Sequence, residues 1–406
     1  MAKIAMVLTR SPGAPETGRK RVIRSAIAAL AAQGHAVDLF ILAQPDPAFR
    51  HDGKVMWLGT PGKLRALLNV ARAVLGGEDS LNEALFRSGR PLTRLRALRR
   101  AYDFAIADTI RVARYASALG VPWHLDMDDL FSERYQKFAQ AGDLSAELVL
   151  GYYRDSAPGL ARALPGALMK EILQREATRI RRRELYWARQ ATTVSLVSAE
   201  EARRFAREAG RPVHSLPMSV SMAASRWAPR AAPAAPVFVG PLDYKPNLDA
   251  LLYYQNEIFP ALQASARTPV LHHIGNAPER LRRLFNAQVV RFEGYVADLA
   301  ARLREASFFV APILSGSGIK TKVLEAMAAG VPVVSTPEGV SGLQVENRRH
   351  CFVCERAADF PPAIRALADP ALAAQLSAHA ARYVEESFSA EVLRQKWAAV
   401  LAELAR

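Results

Sequence analysis

Between residues 311 and 343 the chain reads APILSGSGIKTKVLEAMAAGVPVVSTPEGVSGL, and no other stretch restricts its fold so tightly. Phe308, Phe309 and Val310 close an apolar run of strand character. Ser315, Gly316, Ser317 and Gly318 then form a loop whose backbone can approach a phosphate closely, because its glycines carry no Cβ. From Thr321 to Ala329 apolar side chains recur at helical spacing, Gly330 and Pro332 supply the stop, and a short apolar strand follows. Such a unit places an anion at the helix N-terminus, where unpaired amides and the helix dipole favour negative charge. Lys320 and Lys322 add positive charge to that turn. Glu325 stands among Val323, Leu324, Ala326, Met327 and Ala328. One turn below the loop it is placed either to accept hydrogen bonds from two adjacent ribose hydroxyls or to lie on a solvated helix face.

The N-terminal half repeats the alternation of strand and helix. Residues 3–8 read as a strand, 13–18 as a flexible loop, 21–33 as a helix and 36–42 as a second strand. The loop SPGAPETG lacks a G-x-G-x-x-G pattern and is not a dinucleotide site. Later strands are expected at 104–107 and 122–125, with carboxyl ends opening into a ligand cleft. The second of them runs into HLDMDDLFSERY, the densest acidic cluster of this half. Asp126, Asp128 and Asp129 there suit the orientation of a substrate hydroxyl, or general-base work, and three acids also suit a divalent cation. Capping of the helix that starts near Leu130 is the plainer role. His124, on the strand itself, reads as a packed core residue.

A chain of 406 residues, half of them apolar, suggests two or three domains of roughly 150 residues each. WAPRAAPAAP, residues 227–236, is a hinge rich in proline and alanine. It separates a first domain, 1–226, from a second, 237–386, and an amphipathic helix occupies 387–406. Neither a signal peptide nor an apolar run near the ~20 residues of a membrane helix is found, so a cytoplasmic location is expected. The two cysteines, Cys351 and Cys354, form a C-x-x-C that is discounted as a metal or redox motif: a lone pair cannot complete a zinc site, and i and i+3 on a strand face opposite sides.

The net charge of +15 implies an anionic partner or surface. Residues 61–100 hold nine Lys or Arg against three acids, interleaved with Leu64, Leu67, Leu68, Val70, Val74 and Leu75. That amphipathic basic pattern suits a helix lying in the headgroups of an anionic membrane, or a solvated face. Arg179, Arg181, Arg182, Arg183 and Arg189, beside Tyr186 and Trp187, would extend the same face. No nucleic-acid-binding motif accompanies the charge, so nucleic acid is not expected as a partner.

GSGIKTKVLEAMAAGVPVVST resembles the donor-site signature of the glycosyltransferase family 4 type, the group 1 sugar-nucleotide transferases. FVGPLDYKPNLDALLYYQNEIFPAL, LHHIGNAPERL and VVRFEGYVADLAARLREASFFVAP precede it in the order and spacing of such proteins. The resemblance covers nearly the whole chain. It implies an α/β GT-B fold, two Rossmann-like parallel-sheet domains facing across a cleft, with the C-terminal helix packing back on the first domain. It implies further that Glu325 binds the nucleotide ribose and that backbone near Val296 contacts the base. Gly316, Ser317, Gly318, Ile319, Lys320 and Thr321 would face the diphosphate and transferred sugar, with Gly240 and Lys245 beside them. Gly18 and Asp129 fall on the acceptor side, and Asp128 stands where many members have a histidine that contacts the donor sugar. Two positions depart from the pattern. Ser317 replaces a second Glu common in the family, and Pro241 stands where an Arg usually grips the diphosphate.

The function so implied is a retaining glycosyltransferase that moves a sugar from a nucleotide-diphosphate sugar to a glycan or lipid-linked acceptor, in envelope polysaccharide or lipopolysaccharide assembly. It needs no metal or other cofactor. Asp128, Asp126 and Lys320 are its catalytic candidates, and the inner face of the cytoplasmic membrane is a peripheral location for it. A sugar-nucleotide epimerase on the same fold and a degenerate nucleotide-sugar-binding scaffold are the alternatives.

Overall fold

The computed structural model describes residues 1–13, 18–76, 79–141, 166–222, 227–229, 235–263, 270–316 and 318–406. Ser317, part of the loop at 13–18 and part of the expected hinge lie outside them. The chain forms two compact units, Met1–Met218 with Leu393–Arg406, and Ser219–Val392.

The first unit is built on seven parallel strands: β1 (Lys3–Leu8), β2 (Ala36–Ile41), β3 (Val55–Trp57), β4 (Phe104–Asp108), β5 (Trp123–Asp126), β6 (Thr193–Leu196) and β7 (His214–Ser215). They lie in the order β3-β2-β1-β4-β5-β6-β7. Only a sheet covered on both faces can bury consecutive residues of a strand, and β1 does so from Ile4 to Leu8. Ile4, Met6 and Leu8 enter one apolar cluster while Ala5 and Val7 enter the other, as the two-residue period of a strand requires. Ile23, Ala26 and Leu30 of the helix Gly18–Ala31 cover the first face, together with Leu393, Trp397, Val400 and Leu404 of the C-terminal helix Ala390–Leu404. On the opposite face lie Ala113 and Ala116 of the helix Ile110–Ser117, Ile180 and Trp187 of the long helix Gly166–Gln190, and Phe205 of the helix Ala199–Ala209. The first helix begins three residues earlier than its apolar spacing suggests, and that extra turn carries Arg19.

In the second unit six parallel strands, β8 (Val237–Val239), β9 (Leu271–Ile274), β10 (Val290–Gly294), β11 (Phe309–Ala311), β12 (Val333–Ser335) and β13 (Phe352–Val353), take the order β10-β9-β8-β11-β12-β13. The helix Thr321–Ala328 buries Val323, Leu324, Ala326, Met327 and Ala328 between β11 and β12, leaving Thr321, Lys322 and Glu325 partly exposed. Trp227, read from the sequence as the first hinge residue, is packed within this unit, and its indole donates to Ala306 O at 2.7 Å. Cys351 and Cys354 are buried and unbonded, with burial pushing both thiols up to about 12. Neither is a reactive thiolate.

In each sheet the strand order reverses beside the first strand, between β1 and β4 and between β8 and β11. Open parallel sheets bind ligands outside the carboxyl ends of the strands at such a reversal. Both clusters described next lie at these points.

Candidate active site

At the carboxyl edge of the second unit, backbone approaches backbone. Gly240 follows β8 with φ 141° and Gly275 follows β9 with φ 135°. A Cβ on Gly275 would lie 2.8 Å from Gly240 O, so neither crossing admits a larger residue without movement. The Gly240 carbonyl accepts a 2.7 Å hydrogen bond from His273 Nε2. Asn247 Nδ2 donates to Pro241 O at 2.7 Å, and Asn247 Oδ1 accepts from Lys322 Nζ. Lys322 also lies 4.7 Å from the centroid of the Phe238 ring. Burial draws its amine down to about 7, against the pull of Glu325 upward and with Lys320 adding to the fall.

The loop after β11 carries Gly316 at φ 145° and Gly318 at φ 64°, both in the region that favours glycine. Lys320 caps the helix Thr321–Ala328 with no side-chain hydrogen bond to its first amides. Lys320 Nζ instead donates to Gly318 O at 3.0 Å, Glu338 Oε1 at 3.0 Å and Ser341 Oγ at 2.9 Å. The loop is thereby laced to the short turn Glu338–Val340. Ile319 and Thr321 are partly exposed between these points. Lys245 opens the helix Lys245–Tyr253 and holds both oxygens of Asp249 at 2.9 Å. Val296 lies two residues beyond β10, after the largely exposed Tyr295. The structure thus gathers Gly240 and Lys322 around Asn247, and Gly316 and Lys320 on the loop, while Lys245, on the same helix as Asn247, is paired with Asp249 and Val296 follows a different strand, β10.

The first unit presents a row of polar residues. Parallel register sets Asp108 at the end of β4 beside Asp126 of β5, and Asp126 beside Ser195 of β6. Arg19 enters this row from the first turn of its helix. Its Nε donates to Asp108 Oδ1 at 2.7 Å and its Nη2 to Asp126 Oδ2 at 3.1 Å, and Nη1 lies 3.3 Å from Asp128 Oδ1. Thr9 donates its backbone N–H and its hydroxyl to Asp108 Oδ2 at 3.2 and 2.8 Å. Ser195 Oγ lies 2.9 Å from His124 Nε2 and donates to Asp126 Oδ1 at 3.4 Å. His124 is fully buried, and that burial, helped by His214 and Arg19, pushes its imidazole down to about 3, so it packs as a neutral core residue.

Arg19 is shared among three aspartates, and Asp128 is the least enclosed of them. Its side chain is 22% exposed, against 2% for Asp108 and 7% for Asp126. Burial first, then repulsion from Asp129 and Asp126, outweighs Arg19 and Arg134 and raises its carboxyl to about 6. A carboxylate with that value exchanges protons near neutrality. Asp128 also holds φ 66° and Thr109 φ 73° with ψ 167°, backbone conformations that cost on the order of 1–3 kcal/mol each and concentrate at functional sites. Asp129 differs. It is buried, and Arg134 grips its carboxylate at 2.5 Å, so the helix Phe131–Ala141 uses it structurally. Gly18 is exposed at the start of the first helix, next to Arg19.

Sequence reasoning passed over Arg19, Asp108, Thr109 and Asn247. Asp108 alone carried a usable signal, as the acid that ends an apolar strand.

Residues 235–369 match the family model described as glycosyl transferases group 1. No curated protein matches the sequence. Among solved structures, HepE of Anabaena in complex with UDP superposes with a TM-score of 0.65 at 14% identity over 98% of this chain and 99% of that one. The sucrose-phosphate synthase of Thermosynechococcus elongatus gives 0.65 at 19% identity over 100% and 99%. WaaG, described as a glycosyltransferase involved in lipopolysaccharide biosynthesis, gives 0.59 at 14% identity over 98% and 99%. Identities this low carry the fold alone.

Proposed function

We propose that this chain, whose residues 235–369 form a group 1 glycosyl transferase domain and whose two parallel-sheet units give it the GT-B fold, is a retaining transferase using a nucleoside-diphosphate sugar. One observation carries the reading: glycine loop, uncapped helix N-terminus and Glu325 lie together at the strand-order reversal of the second unit. The loop amides and the helix dipole receive the diphosphate, and Lys322, already beside Gly240, adds charge as it arrives. Glu325 accepts hydrogen bonds from the ribose hydroxyls, and backbone near Val296 meets the base. A UDP-sugar is the first donor to try, since HepE is described with UDP-glucose bound.

The bond from the sugar C1 to the diphosphate oxygen breaks through an oxocarbenium-like state, leaving its electron pair on the diphosphate. The acceptor hydroxyl attacks C1 from the same face, and Asp128 receives its proton. Asp126 and Asp128 share the Arg19 guanidinium and Asp129 is held by Arg134, so the three acids that suit a cation are paired with arginines, which supports a route without metal. A glycan or lipid-linked acceptor of the cell envelope fits the reading, in line with the pathway named for WaaG. The scaffold alternative draws on the carboxylate partners already held by Lys245 and Lys320.

Two results are expected. Glu325→Ala removes two charge-assisted hydrogen bonds of about 1.5 kcal/mol each and weakens nucleotide-sugar binding roughly 100-fold. A diphosphate beside Lys322 raises its amine from about 7, so donor binding takes up protons at about pH 8. The binding enthalpy should then vary with the ionisation enthalpy of the buffer, and Lys322→Met should remove that variation. Turnover is read by incubating the full chain with UDP-, GDP- and ADP-sugars and glycan or polyprenyl-phosphate acceptors, following free nucleoside diphosphate and the product's anomeric configuration by NMR. Conversion of the nucleotide sugar without acceptor identifies an epimerase, and binding without turnover identifies a scaffold.

A further inference from the structure

The helix Lys63–Val74 turns its apolar stripe away from the protein. Its Asn69 and Ala73 are buried, with Asn69 Nδ2 donating to Ala84 O and Arg87 O and Ala73 O accepting from Arg179 Nη1 at 2.8 Å. Leu64, Leu67, Leu68 and Leu75 are 72, 55, 55 and 86% exposed, four of the seven exposed large apolar residues found in the first unit among the described residues. At 3.6 residues per turn these leucines, with the exposed Ala71, span about 100° of arc, roughly opposite Ala73. An ordinary surface helix has the reverse arrangement, its apolar stripe facing the core.

Charge tells what this face fits. Lys63 lies on one flank of the stripe and Arg65 and Arg72 on the other, all exposed. The Arg65 guanidinium reaches Gly89, where the helix Gly89–Ala97 begins, and that helix carries exposed Arg90, Arg94 and Arg96. Among the described residues from 61 to 100 no acid is exposed, since Asp79 and Glu83 are both buried. The arginines of the second stretch, 179–189, divide: Arg179 bonds the helix Lys63–Val74 itself and Arg182 and Arg189 are exposed, whereas two others turn inward. Arg183 is buried against Glu83 at 2.8 and 2.9 Å, and Arg181 is paired with Glu208. Cations therefore flank the leucine stripe with no exposed acid beside them among the described residues from 61 to 100.

We infer that the helix Lys63–Val74 lies in the interface of an anionic lipid bilayer, with Leu64, Leu67, Leu68 and Leu75 inserted among acyl chains and Lys63, Arg65 and Arg72 on the headgroup phosphates. A hydrophobic protein partner would not call for cations on both flanks, whereas phosphates beside acyl chains do. The inference is independent of the transferase reading, since lipid binding is measured without turnover.

The test floats the full chain with vesicles of phosphatidylcholine alone and of phosphatidylcholine containing phosphatidylglycerol. The chain should rise with the anionic vesicles, and high salt should weaken that binding. Arg65→Gln with Arg72→Gln should reduce it roughly 30-fold. Leu64→Ser with Leu67→Ser and Leu68→Ser should reduce it more than roughly tenfold at every salt concentration, while melting temperature and nucleotide-sugar binding stay unchanged because these side chains face solvent. Leu67→Trp should add an emission component that shifts to the blue when anionic vesicles are added. Failure of the chain to float, or flotation by the triple variant equal to the parent, overturns the inference. So does a dimeric parent that the triple variant converts to monomer, which would assign the stripe to a second copy of the chain.

Discussion

Asp128→Asn should lower turnover by roughly 10²–10⁴ while leaving nucleotide-sugar affinity within a small factor of the parent, because the amide keeps the shape of the side chain but cannot take a proton. Asp128 is the most exposed member of the trio around Arg19, and burial together with Asp129 and Asp126 raises its carboxyl to about 6. A base must be ionised to act. The rate of the parent should therefore rise with pH through about 6 and level off above it, and the variant should lose that limb. Initial rates between pH 5 and 8 check both statements. A variant with the parent's kcat and the parent's pH profile would remove Asp128 from the chemistry. Asp126→Asn tests the neighbour separately. Asp126 is almost fully committed to Arg19 and Ser195, so its loss should act through the position of Asp128.

Arg19→Ala should cost on the order of 3–5 kcal/mol of stability, the penalty for leaving buried carboxylates without their cation. Asp108 and Asp126 are nearly inaccessible, and Arg19 provides each with a hydrogen bond. Burial alone would raise the Asp108 carboxyl; Arg19, Arg10 and the Thr9 hydroxyl outweigh it and hold the group below its ordinary 3.8. A carboxylate depressed in the folded state stabilises the fold above its unfolded value and loses that contribution as pH falls through the folded value. In the parent this contribution persists down to about pH 4. In the variant the sign reverses for Asp108: burial without its cation favours the protonated form, so the deficit should be greatest at neutral pH and shrink toward pH 4. Urea unfolding at several pH values measures it. A deficit below about 1 kcal/mol, or one that does not vary with pH, would mean that Arg19 is not the counter-ion of this cluster.

What the sequence made legible was local. The strand, glycine loop, helix and strand around residues 311–343 formed where glycine, apolar spacing and stop signals agreed, and Glu325 stands on that helix partly exposed. The acids at 126–129 announced a polar cluster because they follow an apolar strand at its carboxyl end. What escaped was pairing at a distance. Arg19 is one basic residue among Lys20, Arg21 and Arg24 on an amphipathic helix, and nothing local separates it from its neighbours. The order of strands brings it to Asp108 and Asp126, 89 and 107 residues away. Lys320 looked available for a phosphate, yet the turn at Glu338–Val340 provides it with a carboxylate and Ser341 with a hydroxyl. The two basic stretches were alike in composition and differ in fate. Leucines at 64, 67, 68 and 75 are left outside, whereas Arg183 and Trp187 are drawn into the core by Glu83, which accepts from both.

The most direct trial is a calorimetric titration of the full chain with UDP-, GDP-, ADP-, CMP- and TDP-sugars, run in parallel on Glu325→Ala. The account predicts saturable binding at one site for one nucleotide class, little or no heat from the free sugar, and affinity lost roughly 100-fold in the variant. Absence of binding by every nucleotide sugar, or binding that Glu325→Ala leaves intact, would contradict it.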